Sequence, residues 1–300
     1  MNRRRFIAIS AGAAASAALP AHAETLCHWR GVALGAEASI SFAHPQAEAI
    51  VARAVAEIAR LEAVFSLYRI DSALMRLNAI GQLDAPPFEL LDCLALCGRV
   101  HAATAGLFDP TIQPLWALYA ASHAAGRAPD AAAIAQVMPR VGWAGVAFDS
   151  TAIRLRPGMQ LTLNGVAQGY IADRVAALLA AEGLTDILVN TGELRALGRG
   201  PRGGGWPVRI DGAGAVALRD RALASSAPLG TVFDVAGLVG HILDPLTGLP
   251  ARGHWRLVSI SAPRAAVADA LSTACCMMAD EAAILRTVSA FTDARIEHLS

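Results

Sequence analysis

The chain is predicted to be an α+β protein, with a mixed or antiparallel sheet and packed helices. Two features of the sequence predict this. Long runs with helical spacing of apolar residues sit beside blocks of short strands, and the two do not alternate one for one as they would in a doubly wound parallel sheet. The strand blocks are punctuated by glycine and proline turns, above all between Leu194 and Leu243. Composition supplies the core: 55% of the 300 residues are hydrophobic and 17% are charged.

Leu26–Phe42 has strand character interrupted by Gly31 and Gly35, so a hairpin is expected. Over 46–64, Ile50, Val51, Val55, Ile58, Leu61 and Val64 follow helical spacing. A polar loop with a short helix is expected over 66–79, and a second long helix over 87–105, closed by Gly106. In Phe108-Asp109-Pro110-Thr111 the proline pushes Asp109 out of helical geometry and makes a turn. Asp130 is positioned to cap a helix over 131–138. Short strands are expected over 146–163, a helix over 166–182 ended by Gly183, and a buried strand over 186–190. Trp255–Ser261 is expected as a strand and Ala265–Met278 as a helix.

The first residues form a separate unit. Arg3-Arg4-Arg5, an apolar stretch from Ile7 to Leu19, and Ala21-His22-Ala23 fit an export signal cleaved after residue 23, with a twin-arginine pattern. The mature chain, 24–300, is then expected to form one domain outside the cytoplasm, without stable insertion in a membrane, since no later apolar run spans a bilayer. Lys+Arg equals Asp+Glu at 25 each, which argues against nucleic acid as a partner. No lysine occurs anywhere, which excludes Schiff-base chemistry, pyridoxal phosphate attachment and Walker-type ATP hydrolysis. Five cysteines show no zinc-ligand spacing and are expected to be mostly buried thiols. Gly198-Arg199-Gly200-Pro201-Arg202-Gly203 matches a dinucleotide fingerprint in letters only, because Pro201 and Pro207 prevent a helix from starting there.

Four segments carry chemistry. Leu161 to Arg174 contains an extended apolar end, a turn at Gly165 and a helix start at Gly169. Glycine permits close backbone approach there, and a helix start suits phosphate. Asp269 and Thr273 lie four apart on one helix face, with Ser272 beside them, and offer hard oxygen donors suited to Mg²⁺. His241 precedes the turn Asp244-Pro245-Leu246-Thr247-Gly248, on a strand end that could face a cleft. Tyr68 could stack on a flat ring, and Asp71-Ser72 fits a helix N-cap.

Taken in order, the Tyr68–Asn78 segment, Gly106–Thr111, Asn164–Tyr170, and His241–Pro250 with Ala268–Thr273 resemble the ApbE family of FAD:protein FMN transferases. The export signal and the Thr-Leu-Asn-Gly-Val-Ala-Gln-Gly-Tyr run resemble its periplasmic NosX-like branch, linked to nitrous oxide reduction. The resemblance implies a T-fold-related domain that uses Mg²⁺ to split FAD and moves FMN to a Thr or Ser hydroxyl of an exported or membrane electron-transfer protein, releasing AMP. It implies metal ligands at Asp269, Thr273 and Ser272 and at a backbone carbonyl of Gly165 or Ala167. It implies flavin or pyrophosphate contacts at Leu34, Tyr68, Asn78, Leu107, Phe108, Asp109, Thr162, Gln168, Ser226, His241 and Leu243. The incoming hydroxyl needs a base, for which His241 or a nearby carboxylate is the candidate. The chain departs from the family pattern at Thr162, where relatives carry Asp, and at Gln168, where they carry Lys. Flavin delivery without turnover, and FAD hydrolysis to FMN and AMP, are therefore the alternative activities.

Overall fold

A computed structural model describes residues 26–251 and 253–300. In chain order the elements are β1 (Leu26–Ala33), β2 (Ala36–Ala43), α1 (Ala47–Phe65), α2 (Ala73–Ile80), β3 (Gln82–Asp84), α3 (Phe88–Ala103), α4 (Gln113–Ala124) and α5 (Ala131–Val137). They continue with β4 (Val146–Phe148), β5 (Ala152–Leu155), α6 (Ala167–Ala181), β6 (Ile187–Asn190), β7 (Leu194–Leu197), β8 (Trp206–Ile210), β9 (Gly214–Leu218) and β10 (Ala222–Ser226). The last are β11 (Val258–Ala262), α7 (Ala265–Cys275), α8 (Glu281–Ser289) and β12 (Arg295–Leu299). The export signal expected over residues 1–23 lies outside the described residues.

Seven strands form the main sheet in the order β1-β2-β6-β7-β10-β11-β12. Every neighbouring pair is antiparallel, which settles the expected mixed or antiparallel sheet as antiparallel. Helices α6 and α7 lie side by side, α6 against β6 and β7 and α7 against β10 and β11. Helix α1 packs on α6, turning Ile50, Ala54, Ile58, Leu61 and Phe65 inward at three- and four-residue spacing. All five residues of β11 are buried, because that strand has paired neighbours on both edges and α7 on one face. In the hairpin β8–β9, strand β8 alternates strictly, burying Trp206, Val208 and Ile210 in a satellite core.

Several expected elements end where their turn chemistry put them. The first hairpin turns at Leu34-Gly35, both with positive φ. Ser72 caps α2 by accepting from the Met75 amide at 3.0 Å, and Asp130 caps α5 through the Ala133 amide at 2.8 Å. Asp109 is extended, at φ −135° and ψ 105°, ahead of a single 3₁₀ turn at Pro110–Ile112.

Several differences stand out. Leu161–Leu163 is extended but belongs to no sheet. The strand expected from Trp255 begins only at Val258. Helix α4 follows directly on the 3₁₀ turn, with Pro114 in its first turn where a missing N–H costs nothing, and its apolar residues run nearly all round. Helix α8, capped by Asp280, and the half-buried edge strand β12 also went unpredicted. The cysteines are free thiols, all buried except the half-buried Cys27. Burial pushes Cys275 up to about 12.

Candidate active site at the crossing of two helices

The site is built where α6 and α7 begin. Each helix start leaves amide N–H groups without an intrahelical acceptor, and each helix supplies the other's cap. Asp173 on α6 accepts from the amides of Ala265 and Ala266 at 2.8 and 3.1 Å. Asp269 on α7 accepts from the amide of Gly169 at 3.1 Å. The exchange requires backbone-to-backbone contact, and Gly169 permits it: a Cβ there would overlap the carbonyl of Ala265 and the amide of Ala266.

One turn earlier, the Gly165 bend meets the same helix. A Cβ on Gly165 would lie 3.0 Å from Thr273 Oγ1 and 3.5 Å from the Phe108 ring. Asp269 and Thr273 therefore share a face, and that face touches the bend, as their spacing predicted. Ser272 is fully buried and bonds Ser226 at the end of β10, Oγ to Oγ at 2.7 Å, with Thr273 Oγ1 at 3.4 Å from the same Ser226 hydroxyl. Among the described residues no backbone amide donates to the Gly165 carbonyl, and the amides of Gly165 and Gln168 have no protein acceptor. Ala167 opens α6 between them.

The electrostatics are those of carboxylates short of cations. Burial raises Asp269 above the usual carboxylate range, and the charge of Asp173 adds to this, while the Gly169 amide opposes it. Asp173 has arginines beside it, Arg195 at 3.4 Å and Arg264 at 3.7 Å. Asp269 has none in ion-pair range among the described residues. A second acid faces it: burial, then the Asp269 charge, push Glu193 well above its ordinary value, against a bond from the Ser225 amide at 3.3 Å.

The Thr162–Gly165 approach is held by side chains that the sequence had placed at the ligand. Asn78 is buried. Its Nδ2 donates to the Leu161 carbonyl at 2.8 Å and its Oδ1 accepts the Leu161 amide at 2.7 Å, so both amide groups fix the backbone leading into the bend. Asp109 is likewise engaged: Oδ1 accepts from the Thr111 amide and hydroxyl at 2.8 and 2.7 Å, and Oδ2 from the Trp143 amide at 3.0 Å. The Pro110 carbonyl then takes the Thr162 amide at 2.8 Å, joining the two segments. Asn78→Ala breaks two buried bonds and leaves the Leu161 groups unpaired. It is expected to cost about 2–4 kcal/mol in chemical denaturation.

Other expected residues lie around this centre. Leu34 donates its amide to Glu62 at 2.7 Å, and the adjacent Gly35 stands 3.8 Å from the Tyr68 ring, measured from a Cβ placed on it. Tyr68 is 71% exposed, so a ring face is available for stacking. Leu107 is half-buried and Phe108 is buried. The Gln168 amide lies against Gly192, whose φ of +101° and missing side chain make room for it. Leu243 is buried with Leu115 and Tyr119 in a small core, so its side chain serves packing. No hydrogen bond among the described residues joins Leu34 or Tyr68 to Asp269 or Thr273.

His241 is held by its ring Nδ1, 3.0 Å from the Thr231 carbonyl. A carbonyl only accepts, so Nδ1 carries the proton and Nε2 keeps its lone pair in the neutral ring. Burial lowers the pKa of His241, opposed by bonds to the Thr231 and Pro228 backbone. Glu193 and Asp173 went unassigned in the sequence. Glu193 follows the turn at Gly192 after β6 and is half-buried, and no sequence pattern marked it.

A profile of the ApbE family matches residues 34–294. The chain belongs to the ApbE family. Among curated relatives, the FAD:protein FMN transferase of Treponema pallidum is 32% identical over 253 residues, covering 73% of this chain and 68% of its own. That of Klebsiella pneumoniae is 28% identical, covering 85% and 77%. Among solved structures, the apo Pseudomonas stutzeri flavinyl transferase ApbE superposes with a TM-score of 0.80 at 25% identity, covering 91% of this chain and 92% of its own. The Thermotoga maritima ApbE protein gives 0.81 at 27%, covering 91% and 94%.

The donors at the helix crossing of this ApbE chain fit a hard divalent cation. The Asp269 carboxylate and the Thr273 hydroxyl share one helix face, the Gly165 bend with its unbonded carbonyl abuts Thr273, and Asp269 has no arginine beside it among the described residues. The described residues contain no cluster of three or more His, Cys, Asp or Glu side chains able to hold a metal.

Proposed function

We propose that this flavin transferase moves FMN from FAD to a Thr or Ser hydroxyl of an exported or membrane electron-transfer protein, with Mg²⁺, and releases AMP. The observation that carries the reading is the contact of the Gly165 bend with Thr273 while Asp269 holds the Gly169 amide. A magnesium ion bound by Asp269, Thr273 and the bend carbonyl would neutralise the pyrophosphate and polarise the phosphorus. The free amides of Gly165 and Gln168 are placed to hold phosphate oxygens. Tyr68 and Phe108 supply aromatic surface for the flavin. His241 Nε2 takes the acceptor's hydroxyl proton as the new O–P bond to FMN forms. The P–O–P bond breaks and AMP leaves with its electron pair. The arginine pair at residues 3 and 4 supports a periplasmic setting for this activity, with maturation of a nitrous oxide reduction system as the narrower assignment.

One assay tests the reading: the mature protein with FAD, Mg²⁺ and a threonine-bearing acceptor domain, following AMP and acceptor mass. AMP with an acceptor heavier by FMN is the expected result. AMP with free FMN would make the protein a pyrophosphatase, and bound, intact FAD would make it a carrier.

The His241 environment predicts a pH profile. A base must be neutral to act, and burial lowers the pKa of this histidine, so the acid limb of the transfer rate is expected below pH 6.5, the ordinary histidine value. The same shift makes protonation oppose folding, so stability is held above the ordinary histidine pKa and declines as pH falls through the lowered one. A rate profile with its acid limb above pH 6.5 removes His241 as the base.

A further inference from the structure

We propose that Tyr119, on α4, is a positioning residue for His241: it clamps the loops on either side of the histidine and so fixes where Nε2 stands. This rests on the reading of His241 as the base. His241 and Ile242 link the two loops. Before them, Val232 pairs antiparallel with Gly240, the Phe233 amide donates to the Val239 carbonyl at 2.9 Å, and the His241 amide donates to the Thr231 carbonyl at 3.0 Å. After them, Leu243 pairs with Pro250, the Asp244 amide donates to the Leu249 carbonyl at 2.8 Å, and the Ala251 amide donates to the Ile242 carbonyl at 2.9 Å. Neither loop joins a sheet among the described residues. A lone hairpin is marginal in water, so the place of the link depends on what the loops pack against.

They pack against α4. Tyr119 is buried, and its Oη donates to the Gly248 carbonyl of the second loop at 3.0 Å. Its ring stands 5.6 Å from the Phe233 ring of the first loop, centroid to centroid. Leu243, beside the link, shares a small core with it. One side chain thus touches both loops. Trp116, a turn earlier on α4, adds an edge contact to Phe233 at 5.2 Å.

The first loop is also joined to the helix crossing. It starts just after β10, and Gly240 lies so close to Pro228 that a Cβ on it would overlap the Pro228 carbonyl. Two residues before Pro228, Ser226 bonds Ser272 at 2.7 Å and stands 3.4 Å from Thr273. The residue before His241 is therefore packed on the strand end that touches Thr273, and α4 sets the rest of the frame. A base acts only within reach of its proton, and a misplacement of about 1 Å costs about 10²-fold in rate. Burial lowers the pKa of His241, and the charged groups of these elements are engaged elsewhere. Asp234 Oδ1 accepts from the Leu238 and Val239 amides, Asp244 Oδ1 accepts from the Leu246 amide, and His123 of α4 stacks on Phe233 at 6.0 Å.

Tyr119→Phe removes the bond to Gly248 and keeps the ring. With FAD, Mg²⁺ and the threonine-bearing acceptor domain, kcat is expected to fall about tenfold with KM for FAD unchanged. The His241 ring is followed by NMR, its signal assigned as the one that His241→Gln lacks. It is expected to titrate nearer the ordinary value of 6.5 than in wild type, because the loosened loops admit water. Phe233→Leu releases the first loop and is expected to give the same pattern; it decides the matter if Tyr119→Phe does not fold. Val208→Ala, in the satellite core of β8–β9, is the control for general destabilisation and is expected to leave the titration unchanged. A wild-type His241 titration in both loop variants overturns the proposal, as does an equal shift in the control, or a rise in KM with kcat unchanged. The titration needs no turnover. If His241→Gln transfers FMN at the wild-type rate, the base reading fails, and the titration still decides whether Tyr119 holds the ring.

Discussion

Asp269→Asn is expected to lower Mg²⁺-dependent AMP release from FAD by about 10²–10³-fold while leaving the protein folded. The amide is nearly the size of the carboxylate, and its oxygen can still accept the Gly169 N–H seen at 3.1 Å. The cap on α6 is therefore retained, and only the charge is lost. That charge is costly to bury, with no arginine paired to it among the described residues, and the proposed divalent cation would recover the cost. Chelation of the wild type should reproduce the loss. Asp269→Ala is expected to abolish turnover and also to destabilise by about 1–3 kcal/mol, because the Gly169 amide is then buried without an acceptor. Unchanged AMP release in Asp269→Asn, with unchanged Mg²⁺ affinity by calorimetry, would remove this residue from the metal site.

Gly169→Ala is expected to cost about 3 kcal/mol or more, read as a fall in the urea midpoint. Two effects compete. In a helix, alanine is favoured over glycine by about 1 kcal/mol. Against that, the added methyl would overlap the Ala265 carbonyl and the Ala266 amide, which are backbone atoms and cannot rotate aside. The helices must separate, and the bond from Gly169 to Asp269 goes with them. Gly165→Ala is the control. Its nearest neighbours are the Thr273 side-chain atoms at 3.0 and 3.3 Å, which can give way. That variant should fold within about 1 kcal/mol of wild type and show its defect in Mg²⁺ affinity. Equal stability losses in the two variants would mean that the helix crossing is not held at Gly169.

Much of this was legible because local chemistry and global fold agree. Gly165 and Gly169 announced close approach, and the four-residue step from Asp269 to Thr273 announced a shared face. Ser72 and Asp130 marked helix starts, and Asp109-Pro110 a turn, that the structure keeps. What local pattern could not show was pairing over long distances. That Asn78 clamps Leu161 is a contact across 83 residues, and no periodicity encodes it. Leu161–Leu163 has the apolar look of a strand, yet its backbone groups are met by a side chain and by the Pro110 carbonyl instead of a neighbouring strand. Helix α4 was hidden because apolar residues nearly all round give no face. Glu193 was missed because an acid after a glycine turn is usually solvated, and only the packing of β7 and β10 beside α7 brings this half-buried one under the influence of Asp269.

The exchange of caps between Asp173 and Asp269 bears on when the protein can first work. Neither opening turn is complete on its own, and the two halves of the clasp stand 100 residues apart along the chain. A nascent chain that has emerged only through α6 thus lacks the acceptor for the Gly169 amide, and lacks Asp269 and Thr273 themselves. Competence to hold substrate arises in the closing stage of folding, once the C-terminal quarter has docked, so loading follows assembly and cannot guide it.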